Sequence, residues 1–199
     1  MKKIATSLLI LLAIPVFGYL YIMYFYEADP LTQKYIDEKD PVVKLQLLER
    51  IMDRGEDEKW SWSDNAAEIA FKTGDYDKAE KYALTSLEMS KDYEGNWNYG
   101  NAIHNSNVIL GRISLVQEDI DEAKSYLVEA GKSEGSPQLD TFGPNFKLAN
   151  KLLEKGEISA VVQYLSSISK FWRMDDGCVK RWLSEIENGE KPILCNCNC

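Results

Sequence analysis

A short phrase recurs three times along the chain: Gly74-Asp75-Tyr76 with Ala79, Glu118-Asp119-Ile120 with Ala123, and Gly156-Glu157-Ile158 with Val161. The starts lie 44 and 38 residues apart. In each phrase the Gly, or its substitute Glu118, stands where a positive φ closes one helix, a conformation that costs glycine nothing because it has no Cβ. The acidic residue that follows suits the start of the next helix. A carboxylate there accepts from free amide protons and complements the helix dipole, so Asp75, Asp119 and Glu157 are expected caps. Four residues after each acidic residue, the small Ala79, Ala123 and Val161 let two helices approach closely.

The flanking residues carry helical periodicity on both sides of each turn. Before the turns, Ala66-Ala67-Ala70, Leu110-Gly111 and Leu148-Ala149-Leu152 form the packing stripe of a first helix; after them, Tyr82-Leu87, Tyr126-Leu127-Ala130 and Tyr164-Leu165-Ile168 form that of a second. The chain is therefore expected to be all-α and built of helical hairpins. A helical bundle in which Gly-Asp-Tyr is simply a good helix-turn-helix sequence is the rival reading.

Residues 60–173 resemble degenerate tetratricopeptide repeats, whose period is roughly 34 residues, with extra residues between units. The large aromatic usual early in the first helix is replaced by Ser63, Asn107 and Asn145, and Glu118 and Val161 stand for the usual Gly and Ala. The resemblance implies a right-handed α-solenoid of about three hairpins, a fold that binds rather than catalyses. Such an array needs caps over its apolar ends. Residues 27–59 are expected to supply one, with Asp40 capping a helix opened by Pro41 and Val43, Leu45, Leu47, Leu48, Ile51 and Met52 as its packing face. Residues 174–190 supply the other through Val179, Trp182, Leu183 and Ile186, and Trp172 and Trp182 are expected to pack the last hairpin onto it. Gly189-Glu190 repeats the turn phase, and Pro192 then stops the array.

Between the second and third units, Ser136 to Asn145 reads as an ordered loop, either re-aiming the third hairpin or offering Gln138, Asp140, Phe142 and Asn145 to a binding surface. At the other end of the chain, residues 4–25 are almost wholly apolar, preceded by Lys2 and Lys3 and followed by Glu27 and Asp29. Helical, that run reaches about 33 Å, the thickness of a bilayer core. Residues 1–26 are therefore expected to be one transmembrane signal-anchor in the inner or plasma membrane, N-terminus cytoplasmic and the rest extracytoplasmic. A cleaved signal peptide is the alternative, since Pro15 and Val16-Phe17-Gly18 suit a cleavage region; the domain would then be secreted or periplasmic.

After the apolar run stand 21 Lys and Arg (23 less Lys2 and Lys3) against 32 Asp and Glu. That balance argues against nucleic acid as a partner. With His104 the only histidine, a multi-histidine metal site is excluded within one chain, and His104 reads as a surface or groove residue. No metalloprotease, phosphate-loop or serine-hydrolase motif occurs, so neither an enzyme nor a bound cofactor is expected. Residues 191–199 read as a flexible tail in which Cys195, Cys197 and Cys199 alternate with other residues. These thiols, with Cys178, suit two disulfides in an oxidising compartment, or a soft metal such as copper(I) or zinc.

Two functional expectations follow. The first is a membrane-tethered interaction scaffold of the cell envelope that holds a peptide or partner protein. First helices line the concave face in the tetratricopeptide family, so the resemblance implies a surface of Asn65, Glu68, Lys72, Asn105, Ile109, Arg112, Phe146, Lys147 and Asn150. The family's carboxylate clamp is not preserved: Asp64, Glu68, Ile109 and Gly143 occupy its positions and only Lys147 matches. The second expectation is metal or thiol-redox work by Cys195, Cys197 and Cys199 on a helical mount.

Overall fold

In the computed structural model, which describes residues 29–196, the chain forms ten α-helices and, among those residues, no strand. The expected anchor at 1–26, and Cys197 and Cys199, lie outside the described residues. Within them, no helix is long and apolar enough to cross a membrane.

Helix α1 (Pro30–Asp37) opens on Asp29, whose carboxylate accepts from the Thr32 amide at 2.9 Å and is gripped by both ends of the Arg54 guanidinium at 2.8 and 3.0 Å. Helix α2 (Pro41–Met52) opens as its sequence predicts. Asp40 accepts from the amides of Val42 and Val43, and Pro41 takes the first helical position, where no amide proton is needed. Leu45, Leu47, Leu48, Ile51 and Met52 are buried, but Val43 is exposed. One turn from the start, Val43 points away from the side that α3 covers.

The next helices come in pairs joined by tight turns: α3 (Glu56–Lys72) with α4 (Tyr76–Ser90), α5 (Tyr99–Val116) with α6 (Ile120–Gly131), and α8 (Lys147–Lys155) with α9 (Ile158–Ile168). Each turn has one backbone solution. Gly74, Glu118 and Gly156 have positive φ and donate to the carbonyl three residues back; Asp75, Asp119 and Glu157 donate to the carbonyl five back. This is the Schellman closure, which satisfies two carbonyls that the helix end leaves orphaned. Gly189 and Glu190 repeat it after α10 (Cys178–Glu187), and no helix follows among the described residues. The acidic residues divide in role. Asp75 caps through the Lys78 amide and Asp119 through the Glu122 amide, whereas Glu157 makes no side-chain cap and pairs instead with Lys124 at 3.2 Å. Its extra methylene carries the carboxylate past the amides and across to α6.

Ala79, Ala123 and Val161 are completely buried, as close approach within each hairpin requires. Consecutive helices pack from α1 to α6 and from α8 to α10, and in addition α3 packs on α5, α5 on α7 and α8, and α6 on α8 and α9. Two apolar clusters result. One joins α1 to α4 with Ile109, Leu110 and Ile113 of α5. The other joins α6 to α10, with Val108 of α5 and Leu194. Helix α5 serves both, which is why it is buried on nearly every side. Its Gly100 is indispensable: a Cβ there would lie 1.8 Å from the Gly135 carbonyl oxygen.

The first-helix aromatic missing at Ser63 is supplied one turn earlier. Trp60 is buried, donates to Ser90 Oγ at 2.9 Å and stacks on Tyr93 with ring centroids 4.1 Å apart. Helix α3 accordingly begins at Glu56, before the boundary at residue 60 read from sequence. Residues 136–145 are ordered as expected but include a helix, α7 (Pro137–Phe142), capped by Ser136 through the Leu139 amide. Trp172 and Trp182 pack with Phe146 between the last hairpin and α10.

His104 requires a correction. It is fully buried, not a surface or groove residue: Nδ1 donates to the Ala130 carbonyl and Nε2 accepts from the Asn145 amide, both at 3.1 Å. Burial holds its pKa down to about 4, so the ring is neutral and ties α5 to the end of α6 and to the approach to α8. The tail is also corrected in part. Leu194 is buried rather than loose, because the second cluster closes over it and Asn150 holds its backbone. Among the described residues the Cys178 thiol is buried and makes no disulfide; Cys197 and Cys199, two of its expected partners, lie outside them.

Candidate functional site

The face made by α3, α5 and α8 carries two adjoining depressions that share Lys147 and Asn150. The first, about 620 Å³, is lined largely by amides, among them Asn65, Asn101, Asn105, Gln138 and Asn145, with Phe142 and Cys195 at its margin. The second, about 570 Å³, has Phe71, Leu115 and Val116 as an apolar wall and Arg112, Lys147, Lys151 and Lys155 as a cationic one. Lysines four apart on α8 place three ammonium groups on one side of that helix.

Glu68 is the electrostatic hub between them. Its carboxylate accepts from Arg112 and Lys147, and Lys72 lies 3.3 Å away. Burial works against the charge, yet Lys147 and Arg112 hold the Glu68 carboxyl below its ordinary range. Arg112 is further fixed by Phe71, whose ring centroid lies 3.9 Å from the guanidinium carbon. The resulting cluster ties α3, α5 and α8 together across the face.

The floor of the amide depression holds a second carboxylate under opposite conditions. Asp64 is only 4% exposed and accepts from the Asn65 amide at 2.8 Å, from Asn65 Nδ2 at 3.0 Å and from Asn105 Nδ2 at 2.9 Å. No Lys or Arg among the described residues pairs with it, and burial pushes its carboxyl up. The rim is equally ordered: Asn101 Nδ2 donates to Asn98 and Gln138, and Ser136 Oγ donates to Asn101.

At the junction of the depressions Asn150 grips the chain's own C-terminal segment. Its Nδ2 donates to the Leu194 carbonyl at 2.8 Å and its Oδ1 accepts from the Leu194 amide at 2.9 Å. The Lys191 ammonium adds a bond to the Glu154 carbonyl at 3.1 Å. A non-helical segment therefore already lies against this face, held by a side-chain amide reading a backbone.

Of the residues expected on the face, Asn65, Glu68, Asn105, Arg112, Lys147 and Asn150 converge there, and Lys72 joins through Glu68. Two do not serve as expected. Ile109 is buried in the first core cluster, and Phe146 is buried against Tyr164, Trp172 and Trp182, presenting little of itself to the depression. Ile109 lies on α5, which serves both clusters, and Phe146, just ahead of α8, turns into the second. Within the loop, Gln138, Phe142 and Asn145 line the depression, while Asp140 pairs with Arg173. Missed from the sequence were Asn101, Phe71 and the Lys151–Lys155 pair; the four-residue spacing of Lys147, Lys151 and Lys155 was the available signal. Among the described residues no three Cys, His, Asp or Glu side chains converge as a metal site. No protein-family model, curated protein or solved structure matches the chain.

Proposed function

We propose that this is a tetratricopeptide-like helical repeat protein, membrane-tethered through its apolar N-terminal run, that holds an extended segment of a partner protein on the face of α3, α5 and α8. The observation that carries the reading is the paired bond of Asn150 to the Leu194 backbone, since the face already binds one non-helical segment, the chain's own. The solenoid arrangement is supported by four identical turn closures and by hairpins that each pack on the next. A partner segment would lie in the open cationic depression beside the tail, its backbone met by amides and its acidic and apolar side chains by the lysines and by Phe71, Leu115 and Val116.

The test is site-specific photo-crosslinking in native membranes, with a benzophenone side chain at Val116 on the face or at Leu84 on α4, residues of nearly equal exposure at 48% and 47%. Crosslinks from Val116 alone, mapping to one segment of one protein and lost in Lys151→Glu with Lys155→Glu, are expected. Equal yields from both positions, or no adduct from Val116, would refute the proposal. Lys151 and Lys155 are the residues to reverse because neither pairs with Glu68; reversing Arg112 would break the cluster that holds the helices.

A further inference from the structure

We infer that the amide-lined depression is a subsite for a cation, and that Asp64 receives the guanidinium of an arginine in the bound segment. Carboxylates withdrawn from water are ordinarily paired with a cation, because desolvation is costly and neutral donors repay it incompletely. Asp64 breaks that pattern: it is nearly completely buried, its donors from Asn65, Asn105 and its own backbone are all neutral, and it lines a depression of about 620 Å³. Lys147, which lines the same depression, already donates to Glu68.

The hydrogen-bond inventory points to the same ligand. A carboxylate offers about four acceptor positions. Oδ1 takes two donors from Asn65, whereas Oδ2 takes a single side-chain donor, Asn105 Nδ2, and is the oxygen with fewer side-chain partners. Elsewhere in the same depression, the side-chain carbonyl oxygens of Asn98 and Gln138 each accept from Asn101 Nδ2 and retain a second lone pair. A guanidinium brings five donors and no acceptor, and is more weakly hydrated than an ammonium, so it suits a lining of one carboxylate and amide oxygens. An anion at the same place would face an uncompensated carboxylate. The two depressions thus have opposite preferences, anionic and apolar beside Lys151 and Lys155, cationic at Asp64, and together they set the direction in which a segment lies.

This subsite rests on the groove reading for its biological meaning, but its chemistry is tested without a peptide. The probes are N-acetyl-arginine amide and the neutral isostere N-acetyl-citrulline amide, titrated into the full chain in detergent. The side-chain amide signals of Asn65 and Asn105 are followed by nuclear magnetic resonance. Expected are saturable shifts with the arginine probe, none with the citrulline probe, and binding weakened about tenfold or more in Asp64→Asn, the loss of one charge-assisted bond. Equal shifts with both probes, no shift with either, or undiminished binding in D64N would overturn the inference. Should D64N fail to fold, the arginine and citrulline comparison in the unaltered chain decides alone. Arginine binding with no crosslink from Val116 would keep the subsite and sink the peptide reading; the reverse pattern would sink the subsite only.

Discussion

His104 makes this fold sensitive to mild acid in a way that can be worked out in advance. In the folded chain its Nδ1 donates to the Ala130 carbonyl and its Nε2 accepts from the Asn145 amide, so a proton added at Nε2 would set two donors against each other inside the core. Its pKa falls from 6.5 to about 4 on folding, chiefly through burial. Because the folded pKa is the lower, the unfolded chain takes up the proton first. Stability is fully present above about pH 6.5, declines as pH falls toward 4, and is flat in this respect below. Over the whole window the loss is about 3 kcal/mol, and between pH 7 and pH 5 about 2 kcal/mol. The measurement is urea unfolding of the full chain in detergent at pH 7 and pH 5, with His104→Gln beside it. Gln cannot titrate, so the variant should be weaker at pH 7 yet lose about 2 kcal/mol less on acidification. Equal pH dependence in the two proteins, or an imidazole that titrates near 6.5 in the folded state, would refute the argument.

Other consequences follow from the same geometry. Glu118 holds a φ of 65° where the matching turns use glycine, so Glu118→Gly should stabilise the chain by about 1 kcal/mol in the same urea assay. Gly100→Ala should cost at least about 2 kcal/mol, because its Cβ would strike the Gly135 backbone and the obstacle cannot rotate away. Glu68→Gln should cost about 1–3 kcal/mol by leaving Arg112, whose side chain is 13% exposed, without its anion; Lys72→Ala, on an exposed residue, should stay within about 0.5 kcal/mol. Asn150→Ala should release the C-terminal segment, read as faster amide exchange at Leu194 while the exchange of α5 is unchanged.

The hairpin turns were legible because their chemistry is local. A positive φ, a following carboxylate and a small residue four further on act within a few residues of one another, and all four Schellman closures and two of the three acidic caps are where the pattern predicts. Glu157 departed because a partner on another helix, Lys124, outcompeted the local amides. The candidate face was half legible. The resemblance to tetratricopeptide repeats implies a face that carries Asn65, Glu68, Arg112 and Lys147, but spacing along the chain cannot show that one carboxylate collects cations from three helices. Nor could it show that Asp64, four residues from Glu68 and of the same charge type, would be sealed under amides without a cation.

What the sequence determined by itself is the hairpin turns, the caps at Asp40, Asp75 and Asp119 and the small contacts that bring each pair together, all set by backbone sterics and hydrogen bonding at short range. Only the tertiary structure decided the fate of residues whose surroundings come from far along the chain. His104 is buried because Ala130 and Asn145 converge on it, and Leu194 is docked because Asn150, 44 residues away, matches both its backbone groups. Desolvation and pairing depend on what other segments bring to a point in space, and spacing along a single chain does not encode that.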